Sequence, residues 1–444
     1  MNEFTPKKKL STFQIIILGF LGTILLGALV LMLPFSSRSG EWTPFGDALF
    51  TSTSAVCVTG LIVKDTATYW SAFGQAAILT MIQIGGLGIV TVTAFIAIIS
   101  GRKISLLQRN LLQDSIAAHQ IGGIVRMTRF IFRMAFATEL LGALIMLPSF
   151  YSAFGKRGIW MAFFHSISAF CNAGFDVMGA DGGEFSSLTY LASSPGVVIP
   201  ICLLIVSGGL GFLTWDDIFV HKLDIKRYRM QSKAILLCNL ILIAVPALLF
   251  FFSDFAAQPM KERLLLSGFQ AITPRTAGFN TADFSSMTGA GRAAIIFLMF
   301  IGGSPGSTAG GMKTTTLVVL YATAAASIRR RKNLQIFGRR IEDETIKNAG
   351  TLLVLYLSLA FAGALVISLA EGLPVDACIF ETASAIGTVG LTLGITPSLG
   401  ALSRVILMCF MFFGRVGGLT LMFAAISNAG AEVSKAPVEK ISVS

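Results

Sequence analysis

"SAIGTVGLTLG", residues 384–394, sets Thr388, Val389 and Gly390 in a very apolar part of the chain. A glycine between such residues packs little and stiffens nothing, so the tripeptide is poor material for a buried helix or strand. It recurs. "SAVCVTGLIV" from Ser54, "SAFCNAGFDV" from Ser168 and "PRTAGFNTAD" from Pro274 are degenerate copies, each a short run of small residues ending in Gly and then Leu or Phe. Their glycines, Gly60, Gly174, Gly278 and Gly390, stand 114, 104 and 112 residues apart. A second mark keeps the register. Gly85 in "IQIGGLGIV", Gly302 in "MFIGGSPGS" and Gly414 in "MFFGRVGGL" follow by 24 or 25 residues, and Gly208 in "VSGGLG" follows late, by 34. Two marks repeated in order divide the chain into four repeats, residues 1–110, 111–225, 226–335 and 336–444.

Of 444 residues, 54% are hydrophobic and 13% charged, with a mean hydropathy of +0.77. Soluble domains carry roughly 25% charged residues, so the composition is that of an all-α integral membrane protein. Long apolar runs start near Ser11, Ala72, Met134, Gly196, Ala234, Ala293, Ala349 and Val405, two per repeat. Most reach the ~20 residues a span requires. The first, residues 11–35, is too long and too uniformly uncharged for the core of a signal peptide. Between the two runs of each repeat lies a shorter one, "TPFGDALFTSTSA", "IWMAFFHSISAF", "KERLLLSGFQAI" and "PVDACIFETASAI". About a dozen residues suit a re-entrant helix.

Charge gives an independent reading. The linkers between repeats are all basic: Arg102, Lys103 and Arg109; Lys222, Lys226, Arg227, Arg229 and Lys233; Arg329, Arg330, Arg331, Lys332, Arg339 and Arg340. By the positive-inside rule they share the cytoplasmic side, so each repeat crosses an even number of times and both termini are cytoplasmic. The expectation is eight spans and four re-entrant pore loops around a pseudo-four-fold axis. The net charge of +11 belongs to these loops and does not indicate nucleic acid. Cys57, Cys171, Cys202, Cys238, Cys378 and Cys409 lack metal-ligand or disulfide spacing.

A glycine tripeptide just after a half-way helix receives that helix's negative C-terminal end, which favours a cation. Irregular backbone at membrane depth is tolerated only when buried in protein or lining a wet cavity. Four such segments around one axis present rings of carbonyl oxygens, which can replace the hydration shell of K⁺.

"TVG" at 388–390 resembles the start of a K⁺-channel filter. With "TPRTAGFN", "FFGRVGGLT" and the four fused units, the whole chain resembles the Trk/Ktr/HKT superfamily of K⁺ transporters, most closely the membrane subunit of the bacterial Ktr system. Carried over residue by residue, the resemblance makes the filter Val58, Thr59 and Gly60; Asn172, Ala173 and Gly174; Thr276, Ala277 and Gly278; and Thr388, Val389 and Gly390. Only the fourth copy keeps "TVG", so fewer well-formed ion sites are expected than in a tetrameric K⁺ channel. The resemblance also implies a homodimer in the bacterial plasma membrane, each protomer with its own pore and seated on a cytosolic ring of nucleotide-binding regulatory subunits. It implies transported K⁺, often with Na⁺ dependence, and no cofactor in this chain, since nucleotide would act through the ring.

The apolar run at 293–328 would make one helix of roughly 54 Å against a ~30 Å core. Its middle, "GGSPGSTAGGMKTTT" at 302–316, must interrupt it. Met312 spoils the spacing of a phosphate-binding loop, and no strand precedes it. The segment is either a structural kink or a gate below the filter, the use the resemblance implies, formed by Gly302, Gly303, Gly306, Gly310, Gly311 and Lys313. Arg415, the other intramembrane cation, either completes the closure or ties helices. Glu139 is expected to pair with Arg129 or Arg133. Asp176, Asp181, Glu184, Asp283 and Glu381 are expected near the outer mouth, as cation attractors or as a solvated rim. His119, His165 and His221 read as structural. An alternating-access secondary transporter, for example a Na⁺/K⁺ symporter, is the alternative, though four copies of one orientation differ from the two inverted halves common there. An enzyme would need a catalytic cluster, and none stands out.

Overall fold

Each repeat opens with one long apolar helix: Thr12–Met32, Ile124–Phe154, Met230–Phe252 and Asp343–Glu371 in a computed structural model that describes residues 11–100, 106–116, 123–331, 333–418 and 420–421. Local signals set their ends. Ser11 and Gln14 exchange side-chain and backbone bonds in a capping box. Asp343 and Glu344 lie in the first turn of the fourth such helix, and left-handed Gly372 stops it. Ile124–Phe154, at ~1.5 Å per residue, is about 46 Å long and outreaches the ~30 Å hydrocarbon core. Its first turns carry exposed Arg126, Arg129 and Arg133.

The short helices are Phe45–Val56, Arg157–Phe170, Met260–Ile272 and Val375–Ile386, of 12 to 14 residues. Three start after a proline (Pro44, Pro259, Pro374) with an acid in the first turn (Asp47, Glu262, Asp376), both favourable at a helix N-terminus. Each runs into its glycine tripeptide. Trp70, Phe50, Phe164, Phe279 and Phe380 are fully buried around these helices and hold them in place.

The second run of every repeat is broken, not the third alone. Ala72–Leu87 and Ile89–Ile99 meet at 95°, and Pro195–Gly209 and Phe212–His221 at 98°. Gly289–Phe300 and Thr314–Ile328 are separated by residues 301–313, and Ala401–Val416 ends at Gly417. Gly88, Gly211 and Gly417 have φ of +86°, +86° and +95°, which no right-handed helix can continue through. The second glycine mark has a different cause. Gly85, Gly208 and Gly414 press against the carbonyl oxygens of Val56, Phe170 and Ile386, the last residues of their own repeats' short helices, leaving no room for a Cβ. Gly302 instead packs on Gly310 inside the interruption. The second repeat's mark comes late because the outer loop contains the turns Gly179–Gly182 and Thr189–Leu191.

Among the described residues, four helices have the length and hydropathy of a span alone, and the two bent pairs have them jointly. A small hairpin pairs Gln335–Ile336 with Arg339–Arg340 between repeats three and four. Arg102, Lys103, Lys332, His119 and the two termini lie outside the described residues.

Candidate ion pathway

The four tripeptides form a closed ring. A Cβ on Gly60 would strike the carbonyl oxygen of Ala173, one on Gly174 that of Ala277, one on Gly278 that of Val389, and one on Gly390 that of Thr59. Each contact passes from one repeat to the next, and the last returns to the first. Glycine is required here twice over, since all four also have positive φ, from +69° to +93°.

The first residue of each tripeptide is also left-handed: Val58 at +56°, Asn172 at +57°, Thr276 at +68° and Thr388 at +51°. Such angles cost a residue with a Cβ roughly 1–2 kcal/mol. Left-handed positions alternating with an ordinary one swing successive carbonyls towards one side, whereas an extended strand would alternate them. All these residues are buried. Among the described residues, no backbone or side-chain donor bonds any carbonyl oxygen of the four tripeptides. Buried carbonyls without donors are costly unless something else fills that role.

The amides, by contrast, are tied back. The N–H groups of Thr59, Ala173 and Val389 each donate to the carbonyl of a serine, Ser54, Ser168 and Ser384, at 2.8 Å, and Ala277 donates to Thr273 at 3.0 Å. The hydroxyls of Ser54 and Ser384 accept from the N–H of Gly60 and Gly390 at 3.0 Å. Those of Ser168 and Thr273 donate instead to Phe175 and Phe279 just beyond the ring. These four residues were present in the repeats without an assigned role. Their signal was a hydroxyl five or six positions before each ring glycine.

The ring separates two cavities. The outer one, about 310 Å³, has the four ring glycines as its floor and Asp176 and Asp283 at its side. Burial pushes the Asp176 carboxyl up to about 7; the Asp65 carboxylate adds to the rise, and bonds from the Met178 N–H and from Ser187 oppose it. Asp283 is held below the usual carboxylate range by hydrogen bonds from Ser285. The inner cavity, about 410 Å³, lies between the third repeat's interruption and the inner breaks, with Gly88, Lys313 and Arg415 on its wall.

Residues 301–313 sit directly beneath the ring. Gly310 packs on the Thr388 side chain, and Gly311 lies against the Gly387 carbonyl. The segment is held from several repeats: Ser304 and Thr308 donate their N–H groups to Gly209 and Gly208, and Gly311 donates to Gly414. The Thr308 hydroxyl donates to the Phe170 carbonyl at 2.9 Å. Arg415 donates to the Thr308 carbonyl and to those of Gly85 and Gly86, the latter at 2.9 Å. Its charge thus faces the carbonyl end of a first-repeat helix and the segment at once. Lys313 turns back on its own segment, donating to Ala309 at 2.8 Å.

A family model described as TrkH, cation transport protein, matches residues 4–433. The chain belongs to the TrkH family. Within it, the chain is 38% identical over 447 aligned positions to the potassium/sodium uptake protein NtpJ of Enterococcus hirae, with 98% of each protein covered. It is 38% identical to the Ktr system potassium uptake protein B of Bacillus subtilis, covering 95% of this chain and 93% of that protein. The solved potassium transporter TrkH from Vibrio parahaemolyticus superposes with a TM-score of 0.75 at 18% identity, over 95% of this chain and 86% of that one, so the two share the fold. The TrkH-family fold is a multi-pass membrane one for moving cations, and not that of an enzyme.

Two expectations about charged residues need correction. Glu139 does not reach Arg129 or Arg133. It points inward from the middle of Ile124–Phe154 and accepts from the Gln83 amide at 3.0 and 3.2 Å, because a carboxyl at that depth finds a neutral donor on the adjacent repeat before it can reach the cytoplasmic end. Glu381 is not at a rim. It is fully buried behind the fourth tripeptide, accepting from Thr392, Thr396 and the Leu393 N–H. Asp181 pairs with Arg157 at 3.1 Å, and Glu184 accepts from Thr68 at 3.3 Å. His165 is buried with Nδ1 at 2.7 Å from the Met161 carbonyl, and its ring is stacked on Phe150.

Proposed function

We propose that this chain is the K⁺-translocating subunit of a Ktr-type uptake system in a bacterial plasma membrane, with eight spans and cytoplasmic termini. The observation that carries the reading is the closed ring of unbonded backbone carbonyls between two cavities. Neutral oxygens without a carboxylate among them suit a weakly hydrated monovalent cation; divalent ions are held by carboxylates. The names of the relatives, uptake proteins for potassium or potassium and sodium, agree with it.

Val58, Thr59 and Gly60 and their three counterparts coordinate the ion. Residues 302–316 obstruct its path, with Gly302, Gly303, Gly306, Gly310 and Gly311 giving the segment freedom to move and Lys313 and Arg415 supplying like charge and fastening. Asp176 and Asp283 raise the local cation concentration at the outer cavity. Control comes from a separate cytosolic ring that binds nucleotide, docked on exposed basic surface such as Lys226, Arg227 and Arg229. The working unit is a homodimer with a pore in each protomer, and Na⁺ acts as an activator.

The test is K⁺ or Rb⁺ uptake in cells stripped of their own K⁺ uptake systems, with and without a Ktr-type cytosolic subunit and with and without Na⁺. Uptake that needs this chain and rises with the cytosolic subunit is expected. Absence of K⁺ uptake from correctly inserted protein in every arm overturns the reading.

A further inference from the structure

Along the outside of the third repeat runs an apolar groove of about 660 Å³, walled by Met230–Phe252 on one side and by Gly289–Phe300 and Thr314–Ile328 on the other. Leu237, Leu242, Phe297 and Tyr321 face it, and its lining is almost wholly carbon. At one end the hairpin closes it with Ile336 and Phe337. Phe337 and Gly338 form the two-residue turn, both left-handed at +47° and +75°, which matches the twist of paired strands. A phenylalanine is an unusual choice for that conformation, and here its ring lies at the end of the groove.

Cations surround this end. Arg339 pairs across the hairpin with Ile336, and Arg340 with Gln335. Arg329, Arg330 and Arg331 follow the last turn of Thr314–Ile328. All five are exposed, and among the described residues none takes part in an ion pair. An apolar slot at membrane depth with unpaired arginines at its cytoplasmic mouth fits one molecule with a hydrocarbon chain and an anionic head. We propose that the groove is a binding site for an anionic phospholipid, one acyl chain lying between the helices and the phosphate on Arg339, Arg340 and the Arg329–Arg331 run.

A second copy of the chain fits it poorly. A two-fold contact sets the same patch against itself, here concave against concave and arginine against arginine. The position gives the lipid a consequence, because two of the groove's walls are the arms that carry residues 301–313. A chain between those arms and Met230–Phe252 fixes their spacing, and with it the seat of the segment under the ring.

Native mass spectrometry of the full-length protein, released from membranes of mixed phosphatidylglycerol and phosphatidylcholine, reads bound lipid and oligomeric state together. The wild type should retain phosphatidylglycerol over phosphatidylcholine. Arg339→Ala with Arg340→Ala should lose most of that preference. Leu237→Trp, which fills the slot and leaves the arginines in place, should lower retention of either lipid. Arg126→Ala with Arg129→Ala removes equal charge from another basic face and should retain the wild-type pattern, and excess inorganic phosphate should not displace the lipid. Equal retention of both lipids by the wild type overturns the site, as does a preference lost in the Arg126 and Arg129 variant but kept in the hairpin variant. Displacement by phosphate shows a free-anion site instead. Lipid-free dimers in which cysteines placed at Leu237 cross-link between copies show a protein interface instead.

Discussion

The ring and the plane just beneath it follow opposite rules. At the ring the four repeats are near copies: the same two φ signs, a serine or threonine behind each strand, the same contact handed from one glycine to its neighbour. Beneath it, three repeats break at a single left-handed glycine, while the third spends residues 301–313 on its break and reaches across to Gly208, Gly209 and Gly414. Selection by coordination needs equivalent oxygens around an axis. Obstruction needs one element on that axis, because four equal ones would collide there. On the proposed function, duplicated repeats supply the first, and lengthening a single repeat supplies the second without disturbing it.

The largest expected effect breaks the ring. Gly390→Ser or Gly278→Ser forces a Cβ into the neighbour's carbonyl and onto a left-handed backbone, so preference for K⁺ over Na⁺ should fall by on the order of tenfold or more, about 1.4 kcal/mol per decade. Competitive uptake of the two ions measures it, and an unchanged preference removes the ring from the ion's path. Next comes the obstruction. Arg415→Ala frees the segment from its bond at Thr308, and deletion within 306–311 shortens it. Flux into liposomes should rise several-fold without the cytosolic ring while ion preference holds. If folded variants conduct no faster, the segment is a kink.

A smaller effect tests whether the ring's equivalence rests on its hydroxyls. Ser384→Ala leaves the Gly390 N–H without its acceptor, at a cost of about 1–3 kcal/mol, and Ser54→Ala does the same to Gly60. Either should erode ion preference by a few fold, whereas Ser168→Ala, whose hydroxyl holds Phe175 instead, should erode it less. The smallest concerns the outer cavity. The Asp176 carboxyl, raised to about 7, loses its charge as the medium is acidified through neutrality. Uptake at limiting K⁺ should therefore fall by less than about twofold between about pH 8 and about pH 6, and Asp176→Asn should flatten that dependence at the lower level.

The ring was legible because its requirement is compositional: glycine at fixed spacing after a short apolar helix. The long interruption was legible because no membrane span needs so many residues. The other inner breaks were hidden, since Gly88, Gly211 and Gly417 lie within apolar runs, and an apolar run reads as one helix whether or not one residue turns left-handed. Buried acids were misread for a related reason. Sequence suggests partners by charge and nearness along the chain, but Glu139 found Gln83 on another repeat, and Glu381 found hydroxyls on the far side of its own tripeptide.

The two cavities have an electrical consequence. If both cavities fill with water, the bulk voltage reaches inward to either side of the ring, and most of the transmembrane field falls across the short stretch formed by the tripeptides and residues 301–313. A monovalent ion crossing that stretch feels about 2.3 kcal/mol per 100 mV, delivered over a few ångströms rather than the whole bilayer. On the proposed function an inside-negative cell then biases occupancy at the ring towards inward movement, and Lys313, within residues 301–313, lies at the inner edge of the same focused field.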